Sequence, residues 1–326
     1  MRPGRPAAAT EPACRLAAAA LLWLATAIAA QAEPIVLVSK PILLNEQDPA
    51  LAAVGALRYR GGIEISSEHP GFGGLSGLRV SVDGSTLYAV SDRGRFLTAH
   101  LTYAADGTLS AAVDADLSPL PGRGSRRESD AEALTEDGAG GWIVAYEQRH
   151  RLMRIPPNNG PPSDIAAPTN LASLPANSGI EAAARLPDGR LLIFAEQSEA
   201  GGLHRGWLRG PAGWQDLFYK PAVNFVPTDA VSLDSGDVLV VERAFNLLGG
   251  WGARVVQVEA ASMTAGSVLR GRELALLRPP FNIDNMEGIA ARPADGGVRL
   301  YLLSDDNLNF LQRTLLLTFD WRPDPP

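Results

Sequence analysis

The chain has 326 residues, 46% of them apolar, a single cysteine and a formal charge of −7. That acidity argues against a nucleic-acid surface, which needs a basic footprint, and one cysteine excludes an internal disulfide framework. A chain of this length can bury a large apolar core without such staples.

The N-terminus reads as an export signal. Arg2, Arg5 and Arg15 precede a 15-residue apolar run, 16–30, and Ala30-Gln31-Ala32 is a small-x-small cleavage site. The run is too short and Ala-rich for a membrane anchor, and no adjacent Arg pair stands before it, which favours the general export route. The sequence therefore predicts a signal peptide over 1–32 and a single domain over 33–326, periplasmic or secreted, with no transmembrane segment in the mature chain. Removing the leader takes away Cys14, three Arg and one Glu, leaving 294 residues with 26 basic and 35 acidic side chains, a charge of −9.

Beyond the leader, short apolar runs at 35–38 and 41–44 are broken by Pro41 and by Asn45-Glu46, and LRYRGGIEIS (57–66) is strand-like around a Gly pair. A repeat then begins with LSGLRVSVDGSTLYAVSDRG (75–94), followed by two strand candidates, 95–103 and 109–115, joined by the hairpin signal Asp106-Gly107. The least apolar interior stretch, SPLPGRGSRRES (118–129), reads as an exposed loop and brings Arg123, Arg126 and Arg127 up to Asp130 and Glu132. Further copies are SDAEALTEDGAGGWIVAYEQ (129–148), GIEAAARLPDGRLLIFAEQ (179–197), PTDAVSLDSGDVLVVERA (227–244) and NIDNMEGIAARPADGGVRLYLLSDDN (282–307). The chain closes on TLLLTFDW (314–321), a strong strand pattern.

Each copy reads strand, turn, strand, with an acid near each outer end. Taking Ser76, Glu132, Glu181, Asp229 and Glu287 as equivalent, the steps are 56, 49, 48 and 58 residues. Those lengths suit four-stranded propeller blades. No strand alternates with an amphipathic helix, which excludes α/β architecture; a two-sheet sandwich is the alternative within the β class. The N-terminal strands and the last strand need partners, so the sequence predicts an all-β, six-bladed β-propeller whose sixth blade is assembled from both chain ends. Five blades would leave some 40 N-terminal residues idle, and seven would require a blade with no matching sequence.

In a propeller the first strand of each blade lines the axis. The first acids, Glu132, Glu181, Asp229 and Glu287, are therefore expected to face one opening, and the second acids, Asp92, Glu147, Glu196, Glu242 and Asp305, to return to the same end. Converging carboxylates raise one another's pKa unless a cation intervenes. Oxygen-only ligands with flexible geometry select calcium, and Asn282, Asn285, Asn307 and Asn309 offer neutral oxygens. The four histidines share no repeat position, which argues against zinc. Arg93, Arg149 and Arg243, beside the second acids, offer the competing explanation of a salt-bridged, purely structural ring. A serine nucleophile finds no support, since there is no G-x-S-x-G, and neither a P-loop nor a dinucleotide fingerprint is present.

The motifs GGLSGLR with YAVSDRG, SDAEALT, GIEAAA with LPDGRLLI, PTDAV with VVERA, and DNMEGIA with LYLLSDDN together resemble the phytase-like β-propeller family described by an esterase-like activity, over about 34–321. The resemblance implies a calcium-dependent hydrolase of phosphoesters or related esters acting on a small anionic or ester substrate. It implies Glu132, Glu181, Asp229, Glu287 and Asp305 as metal-facing residues, Glu132 or Glu287 as the proton acceptor, and Arg93, Arg126, Arg127, Arg149, Arg243 and Lys220 as substrate contacts. Ser76 departs from the acid pattern and is expected to leave one side of the ring open. A non-catalytic binding propeller and a sugar-lactone hydrolase are the alternative readings.

Overall fold

The computed structural model describes residues 1, 32–121, 128–157 and 160–323. Residues 2–31, which carry most of the expected export signal, lie outside the described residues, as do Arg126 and Arg127. No helix among the described residues is long and apolar enough to cross a membrane.

The domain is built almost wholly of antiparallel strands. It enters through β1 (Glu33–Ile35), β2 (Val38–Ile42), β3 (Ala53–Val54) and β4 (Leu57–Ser66). The first repeat and its sequel give β5 (Leu75–Val80), β6 (Thr86–Ser91), β7 (Arg95–Tyr103) and β8 (Leu109–Pro119). The second gives β9 (Ala131–Glu136), β10 (Trp142–Tyr146), β11 (Arg151–Ile155) and β12 (Ser163–Ile165). The third gives β13 (Ile180–Arg185), β14 (Leu191–Glu199), β15 (Leu203–Gly210) and β16 (Gly213–Tyr219). The fourth gives β17 (Val226–Ser232), β18 (Val238–Asn246) and β19 (Gly250–Val258), then β20 (Val268–Leu269) and β21 (Arg272–Leu277). The fifth gives β22 (Asn285–Ala294), β23 (Gly297–Asp305) and β24 (Thr314–Trp321).

These strands form five sheets, not six. The expected sixth blade is absent because both chain ends enter sheets that the repeats already begin. Strand β24 follows β23 in the fifth sheet and pairs on its other side with β4, which pairs with β2. Strand β1 takes the outer edge of the first sheet beside β8. The N-terminal segment supplies no strand to the axis. It completes existing sheet edges, which explains how five blades accommodate the terminal strands that were expected to form a sixth.

The five inner strands, β5, β9, β13, β17 and β22, each touch the next, and β22 returns to β5. Five apolar clusters fill the gaps between neighbouring sheets. Successive side chains of a strand point to opposite faces, so a strand packed between two blades is apolar at every position rather than at alternate ones. In β14, Leu191, Ile193 and Ala195 join the cluster shared with the second blade, while Leu192 and Phe194 join that shared with the fourth. In β23, Leu300 and Leu302 face the fourth blade, and Tyr301 and Leu303 face the first.

Among the described residues, Arg79 is the side chain that spans the axis. Arg79, on β5 and 2% exposed, donates through Nη1 to the carbonyls of Leu78 and Ile289, the latter at 3.1 Å. Its Nη2 donates to the carbonyls of Ala183 (2.6 Å) and Ala230 (2.8 Å). Asp229 Oδ2 lies 3.2 Å from Nη1, and Glu136 Oε2 lies 3.7 Å from Nε. One guanidinium thus touches all five inner strands. Its planar fork of donors suits that task, where a lysine ammonium has three.

Candidate functional site

Near its start, each inner strand carries one residue that has no partner in the ladder, a β-bulge. The bulged residues are Gly77, Glu132, Glu181, Thr228 and Glu287. A bulge bends the strand and re-aims its side chain, and here it directs three glutamates to one end of the axis. Two sequence equivalences are corrected by this register. Ser76 pairs with Val90, leaving Gly77 as the bulge, and Asp229 pairs with Val241, leaving Thr228.

Asp229, expected among the metal-facing acids, is therefore one residue out of step with them. It is fully buried and accepts the amides of Leu78 (3.2 Å), Ile289 (2.9 Å) and Ala230 (2.7 Å) besides facing Arg79. Burial outweighs these partners and lifts its pKa to about 6. Thr228 donates its hydroxyl to the Met286 carbonyl at 2.8 Å. At Gly77, φ is +55°, and a Cβ would meet the Leu134 amide nitrogen at 2.7 Å. The side of the ring expected to be open at Ser76 is closed at that point by the backbone of β9.

The returning strands place a second set of residues opposite the position two before the bulge. They are Ser91 opposite Leu75, Glu147 opposite Asp130, Glu196 opposite Gly179, Arg243 opposite Val226 and Asp305 opposite Asn285. Glu242 is again displaced by one residue. Buried between blades, it accepts from the Tyr219 hydroxyl (2.6 Å) and the Ala222 amide (3.3 Å) and is ion-paired with Arg254. Its neighbour Arg243 takes the ring position instead, so the fourth blade offers a cation where three others offer acids.

Arg243 reaches to both sides. It donates to Asn285 Oδ1 (3.0 Å) and to Glu196 Oε1 (3.1 Å) and lies 3.3 Å from Glu287 Oε1. Burial disfavours its charge, yet Glu287, Glu196, Glu181 and Asp305 together raise its pKa. Arg243 was expected to contact substrate; in the resting protein it is already engaged with the acids.

The remaining carboxylates are crowded. Asp130 and Glu132 are half-buried and Glu147 is buried, and ligand oxygens of all three lie within 4.8 Å of one another. Burial first, then Glu181, Asp130, Glu147 and Glu287, push Glu132 well above its ordinary pKa. Glu181 is raised likewise by burial and by Glu196, Glu287 and Glu147, and Asp305 by burial and Glu287. Glu147 rises to about 7 through burial, although the Gly179 amide donates to it at 3.0 Å. Glu287 also rises to about 7 through burial, with Arg243 holding it back.

The Asp130, Glu132 and Glu147 oxygens fit a hard divalent cation. Calcium–oxygen bonds run about 2.3–2.6 Å, so two ligands of one ion are at most about 5 Å apart. Asp130 and Glu147 were not among the metal-facing residues read from the repeats. The signal for Asp130 was present in the DAE of SDAEALT, two residues before the bulge; that for Glu147 was its place among the second acids.

The other expected cations are scattered. Arg93 donates to the Pro70 carbonyl and lines a cleft of about 450 Å³ with Glu33, His69, Gly71 and Arg95. Arg149 is exposed and paired with Glu128 at 2.6 Å, and Lys220 is bonded to the carbonyls of Gly201 and Gly202. Each of these three is tied to a neighbouring loop.

Five sheets about a plugged axis, with carboxylates bulged toward one end, define a β-propeller with an acidic bowl. Residues 70–308 match the phytase-like model named "Esterase-like activity of phytase", and the chain belongs to that family. No curated protein matches it. Among solved structures it is similar to a catalytically inactive virginiamycin B lyase from Staphylococcus aureus, at 14% identity and TM-score 0.41 over 84% of this chain and 83% of that one. It is similar to a protein from Dyadobacter fermentans, at 15% and 0.44 over 90% and 96%. It is also similar to a calcium-binding protein, regucalcin, from Agrobacterium tumefaciens, at 12% and 0.44 over 77% and 92%. These likenesses are remote and say nothing of this chain's chemistry.

Proposed function

We propose that this chain is an exported, divalent-cation-dependent hydrolase of phosphoesters or related esters, with calcium as the ion. The observation that carries this reading is the convergence of Asp130, Glu132 and Glu147 oxygens within 4.8 Å, in a bowl whose acids are raised by burial first and by one another second. These three residues would hold the ion, and binding it there would supply polarisation of an ester or phosphoryl oxygen and a lowered pKa for water.

The chain's own residues do the rest. Glu287, poised at about 7, accepts a proton near neutral pH, where a general base is most effective. Arg243 orients the Glu287 carboxylate from 3.3 Å and keeps it from rising further. Glu181 and Glu196 complete the acidic wall. Arg79 and the strands packed around it close the axis below, so substrate enters from the bulge end.

The test is metal analysis of the purified mature protein, joined to thermal unfolding with and without a calcium chelator and to an ester and phosphoester screen. Bound calcium, a chelator-sensitive melting temperature and chelator-sensitive turnover are expected. Metal-free protein indifferent to chelator and to added calcium would reassign the bowl to a structural role.

A further inference from the structure

The hairpin of the fourth blade stands out beside the bowl. Strands β18 and β19 stay paired from Val238↔Val258 to Asn246↔Gly250, three residues past Arg243. The turn is fixed, because Asn246 Oδ1 accepts the Leu248 amide at 2.9 Å and the Asn246 carbonyl accepts that of Gly249 at 3.2 Å. On this firm support, apolar side chains face solvent: Phe245 is 56% exposed, Leu247 92% and Leu248 100%. The corresponding hairpin of the third blade also projects three residues past Glu196, and its tip, Gln197 to Gly202, carries no large apolar side chain.

The apolar tip is continuous with the bowl. The Arg243 guanidinium lies 5.9 Å from the centre of the Trp251 ring, and Trp251 packs on Phe245 with centroids 4.7 Å apart. Arg243 in turn touches Glu287 and Glu196. A path of contacts thus runs from the proposed proton acceptor through one guanidinium to two rings, and two bare leucines follow Phe245 at the tip of the same hairpin. In the next blade, the β23–β24 loop leaves Phe310 and Leu311 exposed as well.

Resting on the hydrolase reading above, we propose that the 245–251 hairpin is the subsite for the apolar portion of the substrate, so that the site takes esters carrying an alkyl or aryl group rather than polyanions. The bowl itself offers a polyanion little, since its walls are carboxylates and its guanidinium, Arg243, is already paired with Glu196 and Glu287. Burial of each methylene against Trp251, Phe245 and the leucines favours longer chains by about threefold to fourfold. Such a gain appears in kcat/KM when the group is held in the transition state as well as in the complex.

The experiment compares hydrolysis of p-nitrophenyl acetate, butyrate and octanoate by the calcium-loaded protein and by its Leu247→Ser/Leu248→Ser variant. Fluorescence of the neutral probe N-phenyl-1-naphthylamine reads the hairpin independently of turnover. The expected result is a kcat/KM that climbs with chain length, an octanoate-to-acetate ratio cut at least tenfold in the variant, and loss of probe binding. Equal rates for all three esters with no probe binding would overturn the subsite and leave the hydrolase standing. Probe binding through the leucines without hydrolysis of any ester would overturn the hydrolase reading, and with it the ester assignment, while leaving an apolar site. Cosedimentation with phosphatidylglycerol vesicles, or a dimer that the variant dissolves, would assign the hairpin to a lipid surface or to a second copy and overturn the proposal.

Discussion

Glu287 sits at the balance of two opposing effects. Burial lifts its pKa from 4.5 to about 7, and Arg243 at 3.3 Å restrains the rise. Replacing it by Gln keeps the shape and removes the proton acceptor, so Glu287→Gln is expected to cut kcat by about 10²–10⁴ while the fold is retained. The measurement is kcat against pH: the wild-type rise through about pH 7 should be absent in the variant. The same shift bears on stability. Between pH 4.5 and about 7 the folded chain holds a proton on Glu287 that the unfolded chain has lost, so stability falls as pH rises through that window. For Glu287 alone the loss is about 3 kcal/mol by pH 7, and Glu147 titrates in the same direction. Metal-free protein should melt at a lower temperature at pH 7.5 than at pH 5, and calcium should reverse the order at high pH. A melting temperature that instead rises with pH in the absence of metal would contradict the burial of these carboxylates.

Among elements, the bulged inner strand is the unit that makes the site. A regular strand would pair Glu132, Glu181 and Glu287 within the ladder; the bulge withdraws them and aims them at the axis. Gly77 shows what the bulge demands where no side chain fits. With φ at +55° and the β9 backbone 2.7 Å from a would-be Cβ, Gly77→Ala is expected to destabilise the protein by about 1–3 kcal/mol, measured by urea unfolding. The repeated strand-turn-strand pattern, the shared end of the acids and the apolar character of the strands were all legible in the sequence, because strand period and turn chemistry are local. The register was not. A bulge inserts one residue with no local signature, so the repeat pattern puts Asp229 where Thr228 stands and Glu242 where Arg243 stands. Each was an acid one place from the functional position, and only the ladder shows which of the two neighbours faces the bowl.

At the scale of the whole molecule, five blades meet on Arg79. The buried guanidinium is neutralised by Asp229 and bonded to the carbonyls of four inner strands, so losing it leaves a buried carboxylate without its countercharge and several carbonyl acceptors unpaired. Arg79→Met should cost about 3–5 kcal/mol, and adding Asp229→Asn should recover part of that loss, as read from urea midpoints of the single and double variants. Additive losses would show that the two side chains do not act as a pair.

The amino-acid sequence by itself determined that the chain is an all-β repeat protein, because blade length, turn residues and strand period are written in consecutive residues. It also determined that the two ends of each repeat return to the same side, since strand direction alternates along the chain. Tertiary structure alone decided the number of blades, the plug and the membership of the bowl. The blade count turned on whether β4 founds a sheet or joins β24, a pairing between residues some 250 apart. The plug and the bowl turned on contacts among strands that only closure of the ring brings together.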